Sequence, residues 1–164
     1  MKCLAVVALL VATPLLAQKP FELPTVQETP SLAFLYGEWQ REGSLMGKPS
    51  RVELMAKPIL DGWGVVLDYR VLGLGGDAIF AGHAVYRVSS QGRWEGRWLD
   101  SGGVFRDLSG SVLPGRMTVT WGSPATEIGR TTYALEGGTL VLTDEVLRAS
   151  GQFEVFASAK LKRP

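Results

Sequence analysis

From Gly37 to the C-terminus, apolar and polar residues alternate in short segments that are separated by turn-forming residues. Such alternation places every second side chain on the same face of a β-strand. The segment 63–72 shows the pattern, with one face formed by Trp63, Val65, Leu67, Tyr69 and Val71. An apolar and a polar face on each strand predict one antiparallel sheet that surrounds a single interior.

Clusters of glycine, proline, serine and aspartate interrupt this pattern at intervals of roughly 9 to 16 residues, which is typical of all-β sandwiches and barrels. They delimit ten predicted strands at 38–46, 51–57, 63–72, 78–88, 93–100, 104–113, 116–121, 127–136, 139–148 and 152–162. The sequence therefore predicts an all-β fold, a single antiparallel up-and-down β-barrel of about ten strands.

Two segments refine this prediction. Thr29 and Pro30 are typical of a helix start, so 31–36 is expected to form a short N-terminal helix that closes one end of the barrel. In the last strand, alternation predicts an inward face formed by Phe153, Val155, Ala157, Ala159 and Leu161.

The first residues have the pattern of a secretory signal peptide. Lys2 is followed by an apolar run that ends at Leu16 and is too short to span a bilayer, and Ala17 suits a cleavage site. We expect a signal peptide at 1–17, an extended proline-rich linker at 18–30 and the barrel domain at 31–164. The mature chain would be exported, either periplasmic or secreted; an uncleaved N-terminal anchor is the alternative.

Cleavage after Ala17 changes the composition of the chain in two ways. It removes Cys3, the only cysteine, and with it thiol chemistry and cysteine metal sites. It also removes Lys2, which leaves 16 basic residues against 16 acidic ones. A net charge near zero argues against nucleic acid as a partner. No second apolar run is long enough to form a transmembrane helix in the mature chain, and the oligomeric state stays open.

Several short motifs resemble the calycins, the superfamily of lipocalin-like and fatty-acid-binding-like barrels, and more narrowly an uncharacterised bacterial lipocalin-like family. They are Gly37-Glu38-Trp39, Leu60-Asp61-Gly62-Trp63, Val85-Tyr86-Arg87, 93–101 and 130–133. The resemblance implies a barrel that holds a small apolar or amphipathic molecule in its lumen. It also implies that a basic side chain near the C-terminus covers Trp39, with Lys160, Lys162 and Arg163 as candidates.

The chain is also similar in shape to the haem-binding nitrobindin-like barrels, which hold haem through a histidine in the closing strand. The closing strand of this chain has no histidine, and His83 is the only one in the sequence. Alternation places His83 on the outer face of its strand. Residues 73–78 match a dinucleotide-binding fingerprint, but a strand follows them instead of a helix, which favours a hairpin loop. We therefore expect no cofactor, neither haem nor a structural metal.

Aromatic residues and one carboxylate are the candidate ligand-binding residues: Trp63, Tyr69, Tyr86, Trp94, Trp98, Asp100, Trp121 and Tyr133. Asp100 is either a turn residue that bonds nearby amides or a polar anchor for a ligand, with Arg106 or Arg130 as its partner. The favoured function is an exported binding barrel. The alternatives are an enzyme that uses Asp100 and other lumenal acid–base residues, and a solid-core interaction module of the cell envelope; no catalytic residue is assigned.

Overall fold

Ten antiparallel strands close into one barrel. The computed structural model describes residues 30–88 and 93–164. The strands are β1 (Gly37–Leu45), β2 (Lys48–Ile59), β3 (Gly64–Leu72), β4 (Ala78–Val88), β5 (Trp94–Asp100), β6 (Phe105–Leu113), β7 (Arg116–Gly122), β8 (Ile128–Glu136), β9 (Thr139–Leu147) and β10 (Phe153–Leu161). Each strand pairs with its neighbours in the sequence, and β1 pairs with β10 to close the barrel. This confirms the predicted all-β, ten-stranded barrel. The expected signal peptide and most of the linker lie outside the described residues.

Nearly all strands begin and end within one residue of the predicted bounds; β2 is the exception and is longer at both ends. Its turn from β1 consists of Met46 and Gly47, both with positive φ, the geometry of a tight two-residue hairpin. Lys48 and Pro49 already pair with β1, although the sequence suggests that they belong to the turn. The start of β2 is therefore set by the positive φ of Met46, a conformation that the residue type does not predict.

The segment before β1 is a six-residue 3-10 helix, Pro30–Leu35, so the helical prediction is only partly met. Leu32 and Leu35 are fully buried and belong to the same hydrophobic core as Trp39. The Leu35 carbonyl oxygen accepts a 2.8 Å hydrogen bond from the Trp39 indole nitrogen. The 3-10 helix and the first strand are thus fixed to each other through Trp39.

Trp39 is covered by a cation, as the resemblance implied. The Arg163 guanidinium carbon lies 4.5 Å from the centre of the Trp39 ring. Gly37 has a φ of 107°, and a Cβ at this position would collide with the Arg163 guanidinium. The Gly-x-Trp motif therefore has a physical explanation: glycine leaves room for the arginine that covers the tryptophan.

The inward face of β10 differs from the prediction because of a β-bulge. The register against β9 shifts between Val155 and Ala157, so that Phe156 has no partner on β9. Ala157, Ala159 and Leu161 are buried as expected, whereas Val155 is 53% exposed. Phe153 lies on the outer face beneath the Arg130 guanidinium, at 4.1 Å. The prediction was thus wrong for Phe153 and Val155, and Phe156 takes the inward position instead.

Candidate functional site

The barrel contains a cavity of about 220 Å³ in which aromatic residues are the largest group of the lining. The aromatic residues that line it are Tyr69, Phe80, Tyr86, Trp98, Trp121, Tyr133 and Phe156. The polar ones are Asp100, Arg106, Glu127, Thr131 and Asp144, and the aliphatic ones are Leu45, Leu108, Val119 and Leu142. A largely apolar cavity with a few polar groups is the usual form of a small-molecule site.

Six of the eight candidate ligand-binding residues line this cavity: Tyr69, Tyr86, Trp98, Asp100, Trp121 and Tyr133. Trp94 instead begins β5, at the opposite end of that strand from Asp100, and is buried in the core. Trp63 lies between a short 3-10 helix, Leu60–Gly62, and β3, and is only half-buried. Alternation assigns a side chain to a face, but it does not say at which depth of the barrel the cavity lies.

The Trp98 ring lies across Gly82 of β4, which is diagonal to it, since its direct partner on that strand is Ala84. A Cβ on Gly82 would overlap the six-membered part of the Trp98 ring. The ring is stacked on Phe80 with an interplanar angle of 18° and a centroid distance of 6.3 Å, and it lies 6.4 Å from Tyr69. These three rings form one aromatic wall of the cavity.

Trp121 forms a second aromatic wall in a similar way, with Gly129 of β8 beneath its ring. Its indole nitrogen donates to the Thr131 hydroxyl at 3.1 Å, and this hydroxyl donates in turn to Asp144 Oδ1 at 2.6 Å. Phe156 meets the Trp121 ring edge-on, with centroids 6.2 Å apart. The bulge in β10 therefore completes this wall.

Asp144 is the carboxyl group in the interior of the cavity. Burial raises its pKa to about 6, and the hydrogen bond from Thr131 opposes that rise. Across the described residues no arginine, lysine or histidine forms an ion pair with Asp144. Among the described residues, its charge is therefore stabilised by one hydrogen bond, from Thr131, and by no counter-ion.

Three tyrosines face the same space as Asp144. Burial, together with the charge of Asp144, raises the pKa of Tyr69 and of Tyr133 above the usual value, and burial likewise raises the pKa of Tyr86. Tyr86 and Tyr133 lie close enough together for each hydroxyl to affect the pKa of the other. All three hydroxyls are neutral at physiological pH and provide hydrogen-bonding groups to the lumen.

Asp100 lies at the end of β5, where it both lines the cavity and organises the following turn. Its Oδ1 accepts hydrogen bonds from the amides of Gly102 at 2.8 Å and Val104 at 3.2 Å, and its Oδ2 accepts from Trp98 at 2.9 Å. Asp100 therefore both bonds the amides of the turn and lines the cavity, so the two interpretations are compatible. The acceptor capacity of Asp100 is largely used by the protein itself.

The predicted arginine partners of Asp100 are wrong, because both arginines pair with glutamates. Arg106 Nη2 lies 2.7 Å from Glu127 Oε1, and its guanidinium covers the Trp121 ring at 4.8 Å. Arg130 donates two hydrogen bonds to Glu145 on the outer face. The Arg130 hydrogen bond lowers the pKa of Glu145. Arg106 and Glu127 border the loops at the same end as Asp100 and form a charged rim there.

The remaining candidates lie away from this cavity. His83 is on the outer face, as expected, with Nδ1 2.7 Å from Asp68 Oδ1. Residues 73–77 form the hairpin loop between β3 and β4, as expected, with hydrogen bonds from Gly73 N to Asp77 O and from Gly76 N to Gly73 O. No group of three or more metal-ligating side chains occurs within 30–88 and 93–164. Over the same residues, no helix is long and apolar enough to cross a membrane.

Sequence reasoning missed the polar pair Thr131 and Asp144, although the signal was present. Residues 140–146 alternate, and Asp144 stands where Leu140, Leu142 and Val146 predict another inward apolar residue. A carboxyl group on an apolar face marks a site candidate, because its burial costs free energy unless it is compensated. Phe156 gave no such signal.

Comparison of the sequence with the models of known protein families and with curated proteins gives no match. Comparison of the fold with solved structures gives a match to the crystal structure of Rv2717c from M. tuberculosis. The TM-score is 0.61 and the identity 15%, and the alignment covers 82% of this chain and 98% of that one. At this identity the similarity shows a shared barrel fold and nothing about function.

Proposed function

We propose that this protein is an exported barrel of the calycin type that holds a small amphipathic molecule in its lumen. The observation that supports this most directly is the cavity of about 220 Å³ between the Trp98 and Trp121 walls. A dry apolar cavity of about 150 Å³ is enough to bind benzene, so the lumen suits a compact ring with a short substituent. In the same proposal, the 3-10 helix closes the end of the barrel opposite the charged rim.

The arrangement of the lining supports an amphipathic ligand more than a purely apolar one. Trp98, Trp121 and Phe80 provide ring surfaces, whereas Thr131 and Asp144 provide hydrogen-bonding groups on one side. A purely apolar ligand would displace water from these polar groups without replacing its hydrogen bonds, which costs binding free energy. One polar group on an aromatic body satisfies both kinds of surface.

Native mass spectrometry of protein purified from its own host tests the proposal first. We expect a co-purifying small molecule that is released on denaturation. Intact mass of the same material tests export, with a chain starting at Gln18 as the expected result. A full-length species that retains Met1 in the membrane fraction would contradict export.

Binding of the neutral fluorophore N-phenyl-1-naphthylamine provides a second test. Trp98→Phe is expected to keep the fold and change the saturable fluorescence signal, because Trp98 lines the cavity. Trp63→Phe is the matched control, since Trp63 lies outside the lining. Absence of both a co-purifying molecule and saturable probe binding would favour the solid-core interaction module.

Lumenal proton-transfer chemistry is the second candidate function, and the raised pKa of Asp144 favours it. Asp144 then replaces Asp100 as the acid–base group, because the oxygens of Asp100 are occupied by three donors. The test is the fate of the co-purified molecule. Its chemical change during incubation with wild type but not with Asp144→Asn supports an enzyme, whereas an unchanged molecule supports binding alone.

A further inference from the structure

The charges that line the cavity differ in how they are compensated. Arg106 compensates Glu127 at the rim, at 2.7 Å. Asp100 receives hydrogen bonds from the Trp98 indole and from two backbone amides. Asp144, deeper along β9, receives one from Thr131 and, among the described residues, is in no ion pair. A negative charge on Asp144 therefore lacks a counter-ion.

The surroundings of Asp144 suit a cation better than an anion. Aromatic faces attract cations through the ring quadrupole, and Trp98 and Tyr69 line the lumen, whereas the Trp121 ring is already covered by the Arg106 guanidinium. A carboxylate ligand placed beside Asp144 would be repelled, and the one cationic side chain in the lining, Arg106, already pairs with Glu127. Fatty acids and similar anions are therefore disfavoured by the charges in this lumen.

We infer that the ligand is a small organic cation, an amine on an aromatic or compact apolar body, whose ammonium group pairs with Asp144 while its body lies between the Trp98 and Trp121 walls. This inference rests on the proposed function, because it requires an accessible lumen. It specifies the charge of the ligand, which the fold leaves open.

Three matched probes test it by isothermal titration calorimetry at pH 7.5: 2-phenylethylamine, 2-phenylethanol and 3-phenylpropanoate. They share a phenyl ring and a short chain and differ in charge. We expect the amine to bind at least about tenfold more tightly than the alcohol, and the carboxylate to bind most weakly. In Asp144→Asn the preference for the amine is expected to vanish. It should persist in the control Asp107→Asn, which changes an exposed carboxyl paired with Arg97.

Lowering the pH provides a further readout. Protonation of Asp144 removes the partner of the ammonium group, so amine affinity is expected to fall as the pH drops from 7.5 to 5. The groups that face Asp144 are Tyr69, Tyr86, Tyr133 and Thr131, which are neutral throughout this range. Asp100, Arg106 and Glu127 line the same cavity, and Asp144→Asn retains whatever they contribute.

A measurement on the wild type alone guards against a variant that folds poorly. The pKa of Asp144, followed by carboxyl ¹³C NMR, is expected to fall when 2-phenylethylamine binds and to change little with 2-phenylethanol. If alcohol and amine bind equally, the inference of a cationic ligand is wrong and the binding barrel stands. If none of the three probes binds, the proposal of an accessible lumen is wrong, and the inference of a cationic ligand is wrong with it.

Discussion

Trp39, Gly37 and Arg163 form one packing unit that links the start of β1 to the residues after β10. The indole is 2% exposed, donates to Leu35 and is covered by the guanidinium of Arg163. Gly37 leaves space for the guanidinium, which a side chain at this position would have to displace. At the scale of single residues, these contacts join the start of β1 to the segment after β10, the two strands that close the barrel.

Replacing Trp39 is therefore expected to be costly. Trp39→Ala should lower the free energy of unfolding by about 3–5 kcal/mol, through lost burial and a cavity. Arg163→Ala should cost only about 0.5–2 kcal/mol, the range of a cation–aromatic contact. Urea unfolding measures both values, with Trp98→Phe as a control that stays near wild type. A Trp39→Ala protein as stable as wild type would contradict the structural assignment of this residue.

The bulge in β10 is the feature of a single element that most affects the cavity. One unpaired residue reverses the facing of the strand, so that Phe156 enters the lumen and Val155 faces solvent. Bulges are frequent beside functional sites because they redirect one side chain. Here the redirected side chain packs edge-on against Trp121.

Two phenylalanines of β10 provide a matched test of this reversal. Phe156→Ala is expected to enlarge the cavity and to alter binding of N-phenyl-1-naphthylamine. Phe153→Ala removes a ring that lies outside, under Arg130, and should leave probe binding unchanged. The opposite result, with Phe153 affecting the probe and Phe156 not, would restore the regular strand that alternation predicts.

The strands were predictable because their bounds are set by local sequence. Each alternating segment is followed directly by turn-forming residues. The bulge was not predictable, since Phe153, Val155, Phe156 and Ala157 are all apolar and either register buries some of them. The register is fixed by pairing with β9, where Glu145 lies opposite Val155 and Asp144 lies opposite Ala157. The partners of Asp100 were missed for a related reason, because Arg106 and Arg130 each lie beside a glutamate on a neighbouring strand or loop.

At the scale of the whole molecule, a formal net charge of +1 contrasts with an interior carboxyl, Asp144, that has no ion-pair partner among the described residues. Ionising Asp144 in the folded state costs free energy that ionising it in the unfolded chain does not. Since the folded pKa of about 6 exceeds the ordinary 3.8, the native state binds more protons between these values. The contribution of Asp144 to stability is therefore full below pH 3.8 and is lost as the pH rises through 6.

Asp144→Asn is expected to remove this pH dependence. The variant should gain stability relative to wild type as the pH rises from 4 to 7, by at most about 3 kcal/mol, because asparagine keeps the shape without the charge. Urea unfolding at each pH measures the difference, and Asp107→Asn, at an exposed pair, is the control. A difference that stays constant over this range would show that Asp144 is not desolvated.

Gly82 and Gly129, beneath the two tryptophan rings, make the shape of the lumen sensitive to single substitutions. A single base substitution turns any glycine codon into an alanine codon, and one methyl group at Gly82 or Gly129 would occupy the place of the Trp98 or Trp121 ring. The ring would then have to leave the wall and fill the space that a ligand needs. Under the proposed binding function, either substitution is therefore expected to alter the ligand site in a single mutational step.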